Sequence, residues 1–333
     1  MMWWQSGASS RERPSRILRG APAVARTPLD FRCGFQYFFE SIEEPLEEAL
    51  AARPKLLVIC VNYNSDSDAV ALANDFLQQS ASKVIQVIVA DNTARGTTNP
   101  EMVLPGHHNG QVSVFSSGSN LGYFGAAAAA FAAYREKHPV PDWVAVSNAD
   151  LSIPYRTFVS RLLEDDPSSC GIVAPSIRSS VTGRDQNPYM RDRPSSSRMH
   201  FYKAVFSSKL MSRFYLLLSN LKQSLRLSAS VSGPGPVSSS PKSTPTEIYA
   251  PHGSFVLFGR RYFEAGGTLN HGTFLYGEEI FVAETARKLQ LPVHYNRDLA
   301  LVHREHTTTA SVKSDVLFQY RKDAARYCAD TFF

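Results

Sequence analysis

The chain has 333 residues, of which 43% are hydrophobic and 20% charged, and it carries a formal net charge of +5. This is globular usage with enough length for one large or two small cores, so a disordered protein is excluded, and the modest basic excess suits a local anionic partner better than a nucleic acid. Four cysteines, at 33, 60, 170 and 328, make no CxxC pair, which argues against a disulfide framework or a zinc site and fits a reducing, cytoplasmic setting.

Residues 1–52 read as a disordered N-terminal extension. In its first 26 residues Arg11, Arg13, Arg16, Arg19 and Arg26 meet the single acid Glu12, and no apolar segment of signal-peptide length follows the opening MMWW. From residue 53 the pattern becomes regular. LLVICV (56–61) is a strand ending in the polar turn NYNSDSD, a helix follows from about Asp68 to Gln79, and VIQVIVA (84–90) ends at Asp91 and Asn92. A third strand, VSVF (112–115), leads through SSGSNLGYFG into an Ala-rich helix to Tyr134, and WVAVS (143–147) ends in Asn148, Ala149 and Asp150. Each strand thus delivers polar residues at its C-terminal end, where an open parallel α/β sheet binds its ligand. Residues 53–150 are expected to form a nucleotide-binding half.

Gly118, Gly122 and Gly125 let the backbone that opens the Ala-rich helix approach a phosphate, although such turns also serve packing alone. No GxxxxGK[ST] or GxGxxG follows the first strand, which argues against a P-loop NTPase or a nicotinamide-dinucleotide fold. Asp150 at a strand tip is either a hard oxygen ligand for Mg²⁺ or Mn²⁺ or a cap of the next helix.

Residues 151–310 are the expected second half, with a basic and low-complexity insertion at 178–247. Within it, 198–227 carries six Lys or Arg and no Asp or Glu among bulky apolar residues, the pattern of a helix lying on an anionic membrane surface or of one docked on the protein with a solvated basic edge. SASVSGPGPVSSSPKSTPT (228–246) reads as a linker. Order returns with SFVLF (254–258), a helix opened by Glu278 and Glu279, strands PVHY (292–295) and LALVH (299–303), and a closing helix within 311–333. On a helical wheel Glu278 shares an azimuth with Val282, Thr285 and Leu289 and faces the core, while Glu279 lies about 100° away beside Ala283 and Ala286. The pair either complements the helix dipole or does chemistry. No stretch reaches the roughly 18 apolar residues of a spanning helix, so a soluble or peripheral protein is expected.

Taken in order, VNYN (61–64), Asp91-Asn92, SNLGYFG (119–125), SNAD (147–150), PHGSFVLFGRRYFEAGG (251–267), FLYGEEIF (274–281) and VHREH (302–306) resemble glycosyltransferase family 2, the inverting GT-A enzymes. The likeness is greatest to its rhamnosyltransferase-like and capsule or exopolysaccharide branches. It covers roughly residues 55–328 without most of 195–245. It implies an α/β GT-A fold, with a Rossmann-like nucleotide-binding half on a mixed central sheet and an acceptor-side half. It also implies a nucleotide-diphosphate sugar donor, a divalent cofactor (Mn or Mg) and a glycan or lipid-linked acceptor, with action at the inner face of a membrane.

Carried over by position, the resemblance places Asn62 and Tyr63 against the nucleotide, Asp91 on the base, and Asn120 and Gly122 along the diphosphate. Asp150 matches the last carboxylate of the DxD-type metal motif, with Asn148 where many members have its first Asp. His303 matches the C-terminal histidine that completes the metal shell. Glu279 matches the catalytic base, a position where the family usually has Asp, with Glu278 beside it. Two other readings stay open. A sugar nucleotidyltransferase would show a basic Gly-rich loop where this chain has VNYNSDSD, and a non-catalytic sugar-nucleotide or glycan-binding relative would release no nucleoside diphosphate.

Overall fold

The computed structural model describes residues 54–93, 110–227, 244–305 and 314–333, all within one compact unit. The expected extension at 1–52, His306 and residues 228–243 of the low-complexity run lie outside the described residues.

The first half is a parallel βα layer. β1 (Leu56–Asn62) leads to α1 (Asp66–Leu77), β2 (Ile85–Asp91), β3 (Val112–Ser116), α2 (Tyr123–Arg135) and β4 (Trp143–Asn148). β1 lies between β2 and β4, both parallel to it, and β3 is parallel at the edge beyond β2. All seven residues of β1 are buried, because helices cover both faces of the sheet and leave no solvent side for an alternating pattern. Ala126, Ala127 and Ala130 let α2 lie close against the sheet.

The second half turns the sheet mixed. After β5 (Leu151–Ser152), α3 (Phe158–Leu162) and β6 (Ile172–Ser179) come α4 (Ser196–Ser207), α5 (Lys209–Leu227), β7 (Thr246–Glu247), β8 (Phe255–Gly259), α6 (Arg260–Glu264), α7 (Glu278–Lys288), β9 (Val293–His303) and α8 (Ser314–Phe332). Nine strands are present among the described residues, in the order β3-β2-β1-β4-β8-β6-β9-β5, with β7 also on β9. β8 runs antiparallel to β4 and β6, and β9 runs parallel to β6. This is the expected GT-A layout, a Rossmann-like half joined to a mixed one.

Three expectations change in detail. PVHY and LALVH are one strand, not two: the register between β6 and β9 slips at Pro175/Ser176, and Asn296 Oδ1 accepts from the Asp298 amide within this bulge. The basic segment is two helices rather than one, because Ser208 is extended (φ −117°, ψ 130°). Glu279, expected about 100° away from the core-facing Glu278 beside Ala283 and Ala286, is enclosed as well: both carboxylates at the start of α7 are buried, with 5% and 6% exposure.

Candidate active site

Parallel pairing brings the first polar residues together. Asn62 stands opposite Asp91 and Val61 opposite Asn148, so the ends of β2, β1 and β4 form one edge. Asn62 Nδ2 donates to Asp66 Oδ1 (2.7 Å) and Asp91 Oδ1 (3.3 Å), while its Oδ1 accepts from the Ser65 amide (3.1 Å) and fixes the turn after β1. Asp91 also accepts from the Thr93 amide (3.0 Å). Tyr63 and Asn148 are half-buried on the same edge.

The glycine loop docks against this edge through a residue the sequence reading had not placed in the site. Asn92 Nδ2 donates to Gly122 O (2.9 Å) and Asn92 Oδ1 accepts from Leu121 N (2.7 Å). Asn120 Oδ1 accepts from the Gly122 amide (3.0 Å). Gly122 has φ +77°, and a Cβ there would stand 1.9 Å from Phe274 O, so only glycine fits where the α2 loop crosses the segment leading to α7.

Asp150 and His303, far apart in sequence, come together because Leu151 of β5 pairs with His303 of β9. His303 Nε2 lies 3.3 Å from Asp150 Oδ1. The ring's other nitrogen, Nδ1, is 2.8 Å from Gln186 Oε1, and Gln186 Nε2 donates to Glu305 Oε1 (2.6 Å). A carboxylate only accepts, so Glu305 turns the Gln186 amino group toward itself and the carbonyl toward His303. His303 Nδ1 therefore carries the hydrogen, and in the neutral ring Nε2 presents a lone pair beside the Asp150 carboxylate. Two acceptors converging at this distance fit a divalent cation, with a hard oxygen from Asp150, an imidazole nitrogen from His303 and an orienting partner behind the histidine. Among the described residues no three His, Cys, Asp or Glu gather into one group, so the remaining ligands would come from a bound molecule or water.

The third component is the carboxylate pair. Gly277 (φ +87°) and Tyr276 (φ +76°) make the left-handed turn that starts α7. Glu278 Oε1 accepts from the Tyr276 amide (2.8 Å). Glu279 accepts a backbone hydrogen bond from Gly253, whose missing side chain makes room, since a Cβ there would lie 3.0 Å from Glu279 Oε1. Burial, then the charge of Glu279, pushes the Glu278 carboxyl up to about 8, and burial lifts Glu279 to about 7. Glu284, fully buried one turn on, is held by Arg193, Arg287 and Tyr249, and this network holds it below the usual carboxylate range. That residue anchors α7.

Tyr123 ties these components together. Its hydroxyl donates to Gly253 O (2.9 Å), beside Glu279, and burial followed by the charges of Glu278, Cys60, Asp150 and Glu279 pushes the phenol far up. His252, next to Gly253, packs its ring 6.0 Å from that of His303 and 5.9 Å from that of Tyr189. Its Nδ1 accepts from the Ser254 amide (3.2 Å), and burial, then His303, pushes the imidazole down to about 3, leaving it neutral. Asn187 holds this loop, accepting from His252 N (2.7 Å) and donating to Pro175 O (2.8 Å).

No family model and no curated protein matches the chain. Among solved structures it is similar to a mannosyltransferase from Pyrobaculum calidifontis in complex with GDP-Man and Mn²⁺, at 15% identity over 83% of this chain and 70% of that one, TM-score 0.45. It is also similar to GalNAc-T7 with UDP, GalNAc and Mn²⁺ (14% identity, 76% and 44% covered, TM-score 0.46) and to S. aureus TarS (13% identity, 75% and 36% covered, TM-score 0.45). The chain spans less than half the length of the latter two.

Proposed function

We propose that this protein is an inverting glycosyltransferase of the family 2 type. It moves a sugar from a nucleotide-diphosphate donor to an acceptor hydroxyl in surface polysaccharide or glycolipid synthesis. The observation that carries this reading is that Asp150, paired with His303, and the buried Glu279 carboxylate both lie near Tyr123, whose hydroxyl donates to Gly253 O beside Glu279.

On this reading Asn62, Tyr63 and Asp91 receive the nucleoside, and Asn120, Gly122 and Asn148 line the diphosphate. Asp150 and His303 would hold a divalent ion (Mn or Mg), which when bound would supply Lewis-acid neutralisation of the leaving diphosphate. The rest of the work belongs to the chain. Asn92 fixes the Gly122 loop so that its backbone faces the diphosphate. Glu279, lifted by burial toward neutral pH, takes the proton from the acceptor hydroxyl as that oxygen attacks the anomeric carbon from the face opposite the departing diphosphate. Glu278, its carboxyl raised by burial and by the charge of Glu279, accepts from the Tyr276 amide and holds that turn, and the two carboxyls together resist losing both protons.

The acceptor reading is a lipid-linked glycan at the inner face of a membrane, with the protein bound peripherally. Its support is the division of labour between α4 and α5. α4 is docked on the protein, with Met199 and Val205 buried and Lys203 paired to Asp330 of α8. α5 exposes Leu210, Phe214 and Leu217 at 78%, 61% and 67%. No described helix is long and apolar enough to cross a membrane. Release of nucleoside diphosphate from UDP-, GDP- and dTDP-sugars, with a glycan acceptor and Mn²⁺, tests the transfer reading.

A further inference from the structure

A cavity of about 150 Å³ lies between α4, α5, α8 and the start of α7. Its lining includes none of Asn62, Asp91, Asn120, Asp150 or His303, so it is separate from the sheet edge described above. Met199, Ile280, Ala324 and Cys328 are buried around it, and the half-buried rings of Tyr202, Phe206 and Tyr215 give it a rim within reach of solvent.

Arg321 of α8 gives this cavity its character. The side chain lines it and is 5% exposed. Its guanidinium carbon lies 4.8 Å from the centre of the Tyr276 ring, and the side chain hydrogen-bonds to that tyrosine. Burial pulls Arg321 down to about 10, which leaves it charged at neutral pH. Among the described residues that line the cavity there is no Asp or Glu, so the lining carries one positive charge. A guanidinium has five N–H donors in a planar fork, more than one tyrosine can occupy, and the fork matches a carboxylate through two parallel hydrogen bonds.

Charge and size together define the occupant. A single negative charge neutralises the guanidinium, whereas a dianion such as a phosphate monoester would leave net charge in a low-dielectric interior. The apolar wall of Met199, Phe206 and Ile280 suits a body of about the size of benzene. At the rim Arg198 Nε donates to Tyr202 OH (2.9 Å), and Tyr202 hydrogen-bonds to Tyr215, which puts positive potential beside the entrance.

We propose that this cavity binds a small organic monoanion, a carboxylate carried on an aromatic or branched-alkyl body, with the carboxylate on Arg321 and the body against Met199, Phe206 and Ile280. Tyr276 and Gly277, the left-handed turn ahead of the Glu278–Glu279 pair, form the wall on the α7 side, so an occupant bears on the turn that Glu278 holds.

Protein labelled with ¹³C at the methionine methyls, titrated at pH 8 with benzoate, benzamide, acetate and phenyl phosphate, tests this. Benzoate should shift the Met190 and Met199 resonances saturably and raise the melting temperature. Benzamide keeps the shape without the charge and acetate the charge without the body. Each should bind at least about tenfold more weakly, and so should the dianionic phenyl phosphate. Arg321→Met should weaken benzoate at least about tenfold and leave benzamide unchanged. Should that variant not fold, Ala325→Leu, which adds bulk to the α8 wall and keeps the guanidinium, should weaken benzoate by a similar factor. Benzamide or acetate binding as tightly as benzoate, phenyl phosphate binding more tightly, a benzoate response unchanged in the variants, or shifts confined to the exposed Met211 would each overturn the assignment. None of these titrations uses a sugar donor, so their failure leaves the transferase reading standing, and absence of nucleoside-diphosphate release leaves the carboxylate site standing.

Discussion

His303 presents Nε2 to Asp150 at 3.3 Å because Gln186, turned by Glu305, occupies its Nδ1. The strand pairing of β5 with β9 sets the distance, and the carboxamide sets the tautomer. Replacing Gln186 with Leu keeps the bulk but removes the acceptor, freeing His303 to protonate Nε2 and close on Asp150. Mn²⁺ affinity, followed by electron paramagnetic resonance of the free ion, should fall about 10- to 100-fold, with the unfolding temperature little changed. Unaltered affinity would show that Gln186 does not orient the histidine.

Glu279→Gln keeps the shape of the base and cannot take a proton. It should lower kcat by about 10²-fold or more with little change in donor affinity, whereas Glu278→Gln should alter stability or positioning. Because burial lifts Glu279 to about 7, kcat/KM should rise with pH through that value. The stability sign is the reverse. Both carboxyls titrate higher in the folded protein, so their contribution is complete below the ordinary carboxylate range and is lost as pH rises through about 7 to 8. Melting temperature should therefore fall from pH 5 to pH 9, and less so in Glu278→Gln. A dead Glu278→Gln beside a normal Glu279→Gln would reverse the roles.

The parallel half was legible because β1, β2 and β4 are short apolar runs closed by Asn or Asp, a pattern with local causes. The carboxylate pair was legible as a motif, but its burial was not. A helical wheel sees only the helix, and Glu279 is enclosed by Gly253 from a distant loop. Gln186 and His252 escaped for a related reason: Gln186 sits in the irregular stretch after β6, where periodicity is silent, and His252 lies inside the PHG motif with nothing to mark its ring as facing His303. The break at Ser208 left no sequence signal, since serine is tolerated within helices.

Gly122→Ala tests the donor loop. A Cβ at φ +77° meets Phe274 O at 1.9 Å, so the loop must move off the start of α7. We expect a loss of at least about 2 kcal/mol in denaturant unfolding together with weakened nucleotide binding. Wild-type stability would mean the loop accommodates a side chain and does not define the diphosphate site.

Vesicle co-sedimentation tests the membrane reading. The protein should pellet with anionic vesicles, less so as salt is raised, and should remain in the supernatant when Phe214, Leu217 and Leu218 are changed together to Ser. Lys203→Gln should matter less, because Asp330 already neutralises that side chain. Equal binding to neutral vesicles, or binding to neither, would leave α5 as ordinary protein surface.

Metal-assisted sugar transfer at Asp150, His303 and Glu279 is what the proposed function stands on. The direct measurement is nucleoside-diphosphate release on adding a panel of UDP-, GDP- and dTDP-sugars and a glycan acceptor, with Mn²⁺ or with excess EDTA, for the wild type and Asp150→Ala. Acceptor-dependent release in Mn²⁺ that is abolished by EDTA and by Asp150→Ala is the predicted result. Release that persists undiminished in EDTA and in Asp150→Ala, or donor binding with no release for any sugar, would contradict it.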